Sequence, residues 1–473
     1  MMRSMFSGVS GLRVHQTKMD VIANNISNVN TTGFKSSRVT FSEIFSQTVQ
    51  GASGANPNTA RGGRNPMQIG LGSNVASIDQ SMTNGAAQRT DNPYDLMIQG
   101  EGFFIVSDGS GTYFTRAGAF RLDESGNLVT SSGLILNGWK AIDGTIPGTR
   151  EVPKTNTRGI QISGDDEYVM PNSTSYVRLT GNLNAVTDKE KETSISFFDS
   201  LGNEYTIKAR LRYDDTNKQW SVALADRATV NGDPNSVVML NIGAGTGIAS
   251  DLAGGNSVAA QLTTRAATAA DSASPVTFTD APGAVIKFTA DGLPDIASGA
   301  ASGSITSLQL VVDDSAGVIS PPANFAPSII VSTGELTQFS GIATASAVTV
   351  DGNVSGVLNG ISIGSDGKVT GYYSNGQSKV LWQVALAQFK NPTGLERIGD
   401  NLYRATSNSG DFDGVGVEAG AGSDIMAGVL EMSNVDLAQE FTEMITTQRG
   451  FQANSRVITT SDDMLQELVN LKR

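Results

Sequence analysis

The 473-residue chain contains no cysteine and only one histidine, His15. Without cysteine there is neither a disulfide nor a thiol nucleophile. With a single imidazole, a histidine-based metal site within one chain is not expected. Positive charge is in deficit: 33 Lys and Arg stand against 46 Asp and Glu, a net charge of −13. That balance opposes binding to nucleic acid or to anionic membranes. No run of about 18 apolar residues occurs, so membrane insertion is not expected. The opening residues have spaced apolar positions and not the continuous block of a cleavable signal, which predicts a cytoplasmic protein or export without signal cleavage. All 14 prolines fall between Pro57 and Pro392. Both ends are therefore free of the strongest helix breaker.

What the ends do contain is periodic. Met5, Leu12, Met19 and Ile26 recur every seven residues, with Val9 and Ala23 at alternate positions. Leu437, Met444, Phe451, Ile458 and Leu465 repeat the pattern at the other end, with Phe441 and Val469 between them. Such spacing predicts a helix over about 3–28 and another over about 434–472. Val14, Val21 and Ile22 widen the first stripe, and Val457, Met464 and Leu471 the second. The run Asn28-Val29-Asn30-Thr31-Thr32-Gly33 stops the first helix, and Asn434 is the expected cap of the second. Gly450 interrupts the second helix at a cost of about 1 kcal/mol relative to Ala, so it either admits a close neighbour or is tolerated. The nearest partner for one terminal helix is the other, and the widened stripes call for further partners from neighbouring copies. Periodicity leaves open a simpler arrangement, a helical pair that only caps a β core.

Between the ends the chain reads as β. It is 39% hydrophobic, 17% charged and carries 53 glycines, a profile of strands and turns. Residues about 50–70 are rich in Gly, Asn and Pro and read as an irregular linker. FRLDESGNLV forms a hairpin turning at Ser125-Gly126-Asn127, and SISFFDSLGNEYTIKARLRY two strands around Leu201-Gly202-Asn203. Residues 231–350, biased toward small side chains, read as a further β region. VLWQVALAQF is the most hydrophobic strand. Trp139, Trp220 and Trp382 read as core residues.

Sharper chemical readings are weak. Gly360-Ile361-Ser362-Ile363-Gly364 fits G-x-S-x-G, but a strand-like run follows it where a nucleophile elbow needs a helix. Asp411-Phe412-Asp413-Gly414 lacks the ligand spacing of a calcium loop and reads as a solvated acidic loop. His15 lies off the main seam and reads as an exposed helix residue. Asp214-Asp215 and Asp462-Asp463 sit at a turn or on a helix face, with no acid–base arrangement. The chain is expected to be no enzyme and to need no cofactor or metal.

The terminal sequences narrow the reading. SGVSGLRVHQTKMDVIANNISNVNTTGFKSS resembles the N-terminal motif of the flagellar rod and hook axial protein family. SNVDLAQEFTEMITTQRGFQANSRVITTSDDMLQELVNLKR resembles its C-terminal motif. DNPYDLMIQGEGFFIV and YFTRAGAFRLDESGNLVTSSGLILNG resemble the β domain shared by its members. The chain's length, the segment from Ile361 to Gly410 and the ending ELVNLKR resemble the hook branch. Residues 231–330 match nothing in it.

That resemblance implies an α+β subunit whose terminal helices form a coiled-coil-like inner layer, with nested all-β domains between them. It implies an assembly helix at 1–33, an extended linker at 34–74 and a shared β domain at 75–165 plus 357–428. An outer β domain of one or two subdomains is inserted at 166–356, and a second assembly helix lies at 429–473. The implied function is a flexible hollow tube that passes torque from rod to filament. Its partners are other copies of itself, the distal rod protein, the hook cap, the hook–filament junction proteins and the flagellar export apparatus. Met5, Val9, Leu12, Met19, Ile26, Leu437, Phe441, Met444, Phe451, Ile458 and Leu465 are the expected self-assembly residues. A distal-rod subunit, or a surface β-protein such as an adhesin or hydrolase, are the alternatives.

Overall fold

A computed structural model describes residues 2–54, 62–142, 157–162, 164–231, 233–244, 257–265, 276, 278–289, 291–294, 307–313, 329–349, 351–420 and 422–470. Leu471, the middle of the Gly-rich stretch at 55–61 and much of 245–328 lie outside them. Two helices stand at the ends, α1 (Met2–Ser27) and α2 (Leu437–Asn470), and the described residues between them form strands and turns. The chain divides into two compact units. One comprises Met1–Asp166, Gly360–Tyr372 and Ser378–Arg473; the other comprises Glu167–Asn359 and Tyr373–Gln377.

The helix-bearing unit is built on antiparallel strands Phe103–Ser107, Thr112–Thr115, Ile135–Lys140, Ser378–Ala387 and Leu402–Arg404. Phe103, Ile105, Phe114, Trp139, Phe389 and Tyr403 close its core. From Leu381 to Ala387 every residue is buried. Such an unbroken run marks a strand covered on both faces. In the acidic loop Asp411 and Asp413 are exposed, while the half-buried Phe412 ring packs edge-on against Phe114 at 5.3 Å.

The segment 34–74, expected as an extended linker, is largely strand. Ser37–Glu43 pairs antiparallel with Ser73–Gln80, and Ser46–Gln50 with Met67–Gly70. The alternation in Val39-Thr40-Phe41-Ser42 suits a ribbon lying on a helix, and Phe41 meets the His15 ring of α1 at 6.2 Å.

In the other unit, ten strands form one sheet running from Glu190–Phe198 at one edge to Ser346–Thr349 at the other. These edge strands come into contact, so the sheet curls around its own core. Buried and exposed positions alternate along Glu204–Asp214, which places Tyr205, Ile207, Ala209 and Leu211 inside with Trp220, Val177 and Ile195. The Trp220 indole donates to Gln338 Oε1 at 3.1 Å, satisfying its one polar atom. The turn at Asp199–Asn203 is held by the buried Asp199 carboxylate, which accepts from the Leu201 and Asn203 amides at 2.9 and 2.8 Å.

Candidate assembly interface

α1 and α2 lie antiparallel. Ser4 Oγ is 3.4 Å from Ser461 Oγ at one end; Lys18 Nζ is 3.1 Å from Glu443 Oε2 and Asn25 Nδ2 donates to Glu440 Oε1 at 2.9 Å toward the other. Most of the residues along this seam are small or polar; Ile458 and the buried Ile22 are its apolar members. A Cβ on Gly8 would lie 3.1 Å from Ile458 Cγ1, one on Gly11 2.6 Å from Asn454 Nδ2, and one on Gly450 2.7 Å from His15 Cε1. Ser4, Gly8, Gly11, His15, Lys18 and Asn25 follow the 3–4 alternation of a helix seam, as do Glu440, Glu443, Thr447, Gly450, Asn454 and Ser461. Thr447, Ser461 and Asn25 are buried.

This seam is not the one the apolar spacing marked. A straight α-helix turns by about 100° per residue, so a seven-residue series drifts by about 20° per repeat. The series starting at Leu437 begins on an outer flank, exposed, and reaches the partner helix only at Ile458. Met5, Leu12, Met19, Ile26, Met444 and Leu465 are half-buried, while Val9, Phe441 and Phe451 are exposed. His15, expected on the surface, packs over Gly450 with Nδ1 buried. Burial, helped by the Lys18 ammonium, holds its imidazole below the usual histidine range.

What remains outside is apolar. Leu437, Phe441 and Ile445, four apart, are 39%, 50% and 58% exposed and line one flank of α2; Val457 and Met464, 41% and 51% exposed, line the other. On α1, Phe6 is 68% exposed. Singly such residues are ordinary, but here they are aligned along the helix.

The base of the pair is anchored by a buried ion cluster that periodicity did not reveal. Lys35 Nζ contacts Glu431 Oε1 at 2.7 Å and donates to the Thr83 carbonyl at 2.7 Å. Arg116 approaches Glu431 Oε2 at 3.5 Å and donates to Asn84 Oδ1 and the Gly100 carbonyl. All three charged side chains are 3% exposed or less. Burial pulls both cations down while Glu431 opposes the shift. Lys35 follows α1 and Glu431 precedes α2, so the cluster ties both helix roots to the β framework. A Cβ on Gly33, at φ +68°, would lie 2.6 Å from the Ala117 amide, so this close crossing requires glycine. Asn434 belongs to the same anchor and is not the helix cap. It accepts from the Ser36 amide at 2.8 Å and donates to the Ser81 carbonyl. Asp436 caps α2 through the Ala438 amide at 2.8 Å, because its carboxylate sits where the helix's free N–H groups point.

Known sequences share this layout. Residues 5–35 match the family described as flagella basal body rod protein, and 426–471 the flagellar basal body rod FlgEFG protein C-terminal family. Residues 97–167 match the flagellar hook protein FlgE/F/G D1 domain, and 171–353 the flagellar basal body protein FlaE D2 domain. The flagellar hook protein FlgE of Borreliella burgdorferi is 38% identical, with all of both chains covered, and that of Treponema pallidum is 38% identical over the same full extent. The chain belongs to the flagellar hook protein family. The flagellar basal-body rod protein FlgG of Bacillus subtilis, also matched end to end, is more distant at 29% identity.

As a hook family member the chain is a structural subunit of the bacterial flagellar hook, a polymer of copies of one chain. The C-terminal rod-family match contains all of α2, and the N-terminal one covers α1 from Met5 onward. No helix among the described residues is long and apolar enough to cross a membrane. The G-x-S-x-G run lies in the strand Gly356–Ile363 and the turn after it.

Proposed function

We propose that the hook polymer is held together by the outer flanks of the α1–α2 pair, which stack against the pairs of neighbouring copies as the tube's inner layer. One observation carries the reading: the two helices meet largely through glycine, serine, threonine and asparagine with few aliphatic side chains, and leave Phe6, Phe441, Ile445, Val457 and Met464 exposed. Leu437, Phe441, Phe451 and Val9 keep the contact role that their spacing implied, and Phe6, Ile445, Val457 and Met464 join them. Ile458 passes to the intramolecular seam. A repeated contact that does not close on itself builds a helical tube. The rod joins such a tube at one end and the filament at the other, through the distal rod protein, hook cap and junction proteins. The subunit reaches them through the flagellar export apparatus. It works as a bending, torque-passing joint, without catalysis.

Removing residues 1–28 and 434–473 tests this. The expected product is a soluble monomer that forms no tubes by electron microscopy; tubes from the shortened chain would overturn the reading. A distal-rod role is supported by the full-length match to FlgG. It requires straight polymers from the intact chain, whereas the hook role requires curved ones.

A further inference from the structure

We propose that Gly8, Gly11 and Gly450 are notches that receive Ile458, Asn454 and His15 as knobs, and that this interlock holds the register of the helix pair beyond its anchored roots. It deepens the assembly reading, because register decides which flanks stay outside. Near the roots the buried Asn25, which donates to Glu440, adds to the anchor. Farther along, the other cross-helix polar contacts are between flexible side chains, Lys18 with Glu443 and Ser4 with Ser461, which tolerate a slide. The notches do not. Each would bring a methyl group to between 2.6 and 3.1 Å of its knob, tighter than ordinary van der Waals contact. His15 is the most confined knob. Its ring lies over Gly450, its edge meets Phe41 at 6.2 Å, and its Nδ1 is buried. The notches and knobs alternate between helices: two glycines on α1 face α2 side chains, and one glycine on α2 faces α1. A slide of either helix moves at least one knob off its glycine and against a residue that carries a Cβ.

Helix propensity makes the opposite prediction. Gly450 sits inside α2, where a residue such as Leu strengthens an isolated helix. The interlock predicts that Gly450→Leu disrupts the pair by overpacking, and that truncating the knob restores it.

Because the chain has no cysteine, Ser4→Cys with Ser461→Cys creates a single possible intramolecular disulfide at side chains already 3.4 Å apart. The full chain carrying these two changes is oxidised with diamide under assembling conditions, and the looped product is read by gel mobility and peptide mapping. The parent is expected to cross-link. Gly450→Leu lowers the yield roughly tenfold or more, and His15→Ala added to it restores the yield. A Gly450→Leu chain that links as well as the parent, a double variant that stays low, or a parent that does not link would each overturn the interlock. Lost tubes with intact cross-linking would instead fault the outer flanks and leave the notches standing.

Discussion

The helix pair and the curled β unit solve the burial problem in opposite ways. In the β unit, Trp220, Ile207, Leu211 and Val177 are fully inside. Along Glu204–Asp214 the intervening positions, among them Lys208 and Arg212, face outward. In the helix pair the inside is mostly Gly, Ser, Thr, Asn and His with Val14, Ile22 and Ile458, and the outside carries Phe441, Ile445, Val457 and Met464. The first is a closed core. The second leaves apolar area uncovered, the area that the proposed assembly assigns to other copies.

The sharpest break in that comparison comes from truncating one large side chain on each side. Trp220→Ala should cost about 3–5 kcal/mol of the β unit's stability, lowering its thermal midpoint. Phe441→Ser together with Ile445→Ser should change the monomer's stability by no more than about 0.5 kcal/mol, the usual surface range. That pair should nevertheless abolish tubes in a sedimentation assay. Equal destabilisation at the two sites would erase the distinction between core and flank.

Next in size is the anchor at the helix roots. Glu431→Gln leaves Lys35 and Arg116 buried with no compensating charge, a loss of about 3–5 kcal/mol. Amide exchange should show deprotection around residues 33–36, 84–85 and 431–434, with the curled β unit unaffected. Spreading of the loss into residues 176–230 would mean that the anchor supports more than the unit that contains it.

The smallest effect is that of pH on the seam. His15 is held below its ordinary value of 6.5 by burial and then by Lys18, so the paired helices favour neutral imidazole. Facing it are Gly450 from α2 and Phe41 from the ribbon, and the charged groups on this stretch of the seam, Lys18 and Glu443, pair with each other. Above about pH 6.5 both paired and unpaired chains carry a neutral ring, and pairing is at full strength. As pH falls through that value the unpaired chain takes up the proton first, and pairing weakens until the lowered folded pKa is passed. Amide-exchange protection of residues 8–15 and 450–458 should decline over that window, and His15→Gln should flatten the decline. A decline that persists in His15→Gln would point to a carboxylate instead.

Much of this molecule was legible before its structure. The proline-free ends with seven-residue apolar spacing announced two helices, and both lie within a few residues of where the spacing put them. The Gly-Asn turns and the apolar run at VLWQVALAQF announced strands. Three features were not legible. The ribbon at 37–50 and 67–80 was hidden because its polar and glycine-rich composition matches a linker, and its strands are defined by each other and by α1. The Lys35–Glu431–Arg116 cluster joins residues from three distant places in the chain, so no local pattern marks it. Asn434 and Asp436 both suit a cap, and contacts with Ser36 and Ser81 drew the first into the anchor and left the second to α2.

By itself the sequence determined that the ends are helices, that each carries more apolar surface than one partner covers, and that the middle is β. Local spacing suffices for that, because helix and strand periods are properties of neighbouring residues. Which face turns inward was decided only by tertiary structure. A seven-residue series drifts around a straight helix, and a glycine counts as a notch only when a knob such as His15 arrives from more than 400 residues away.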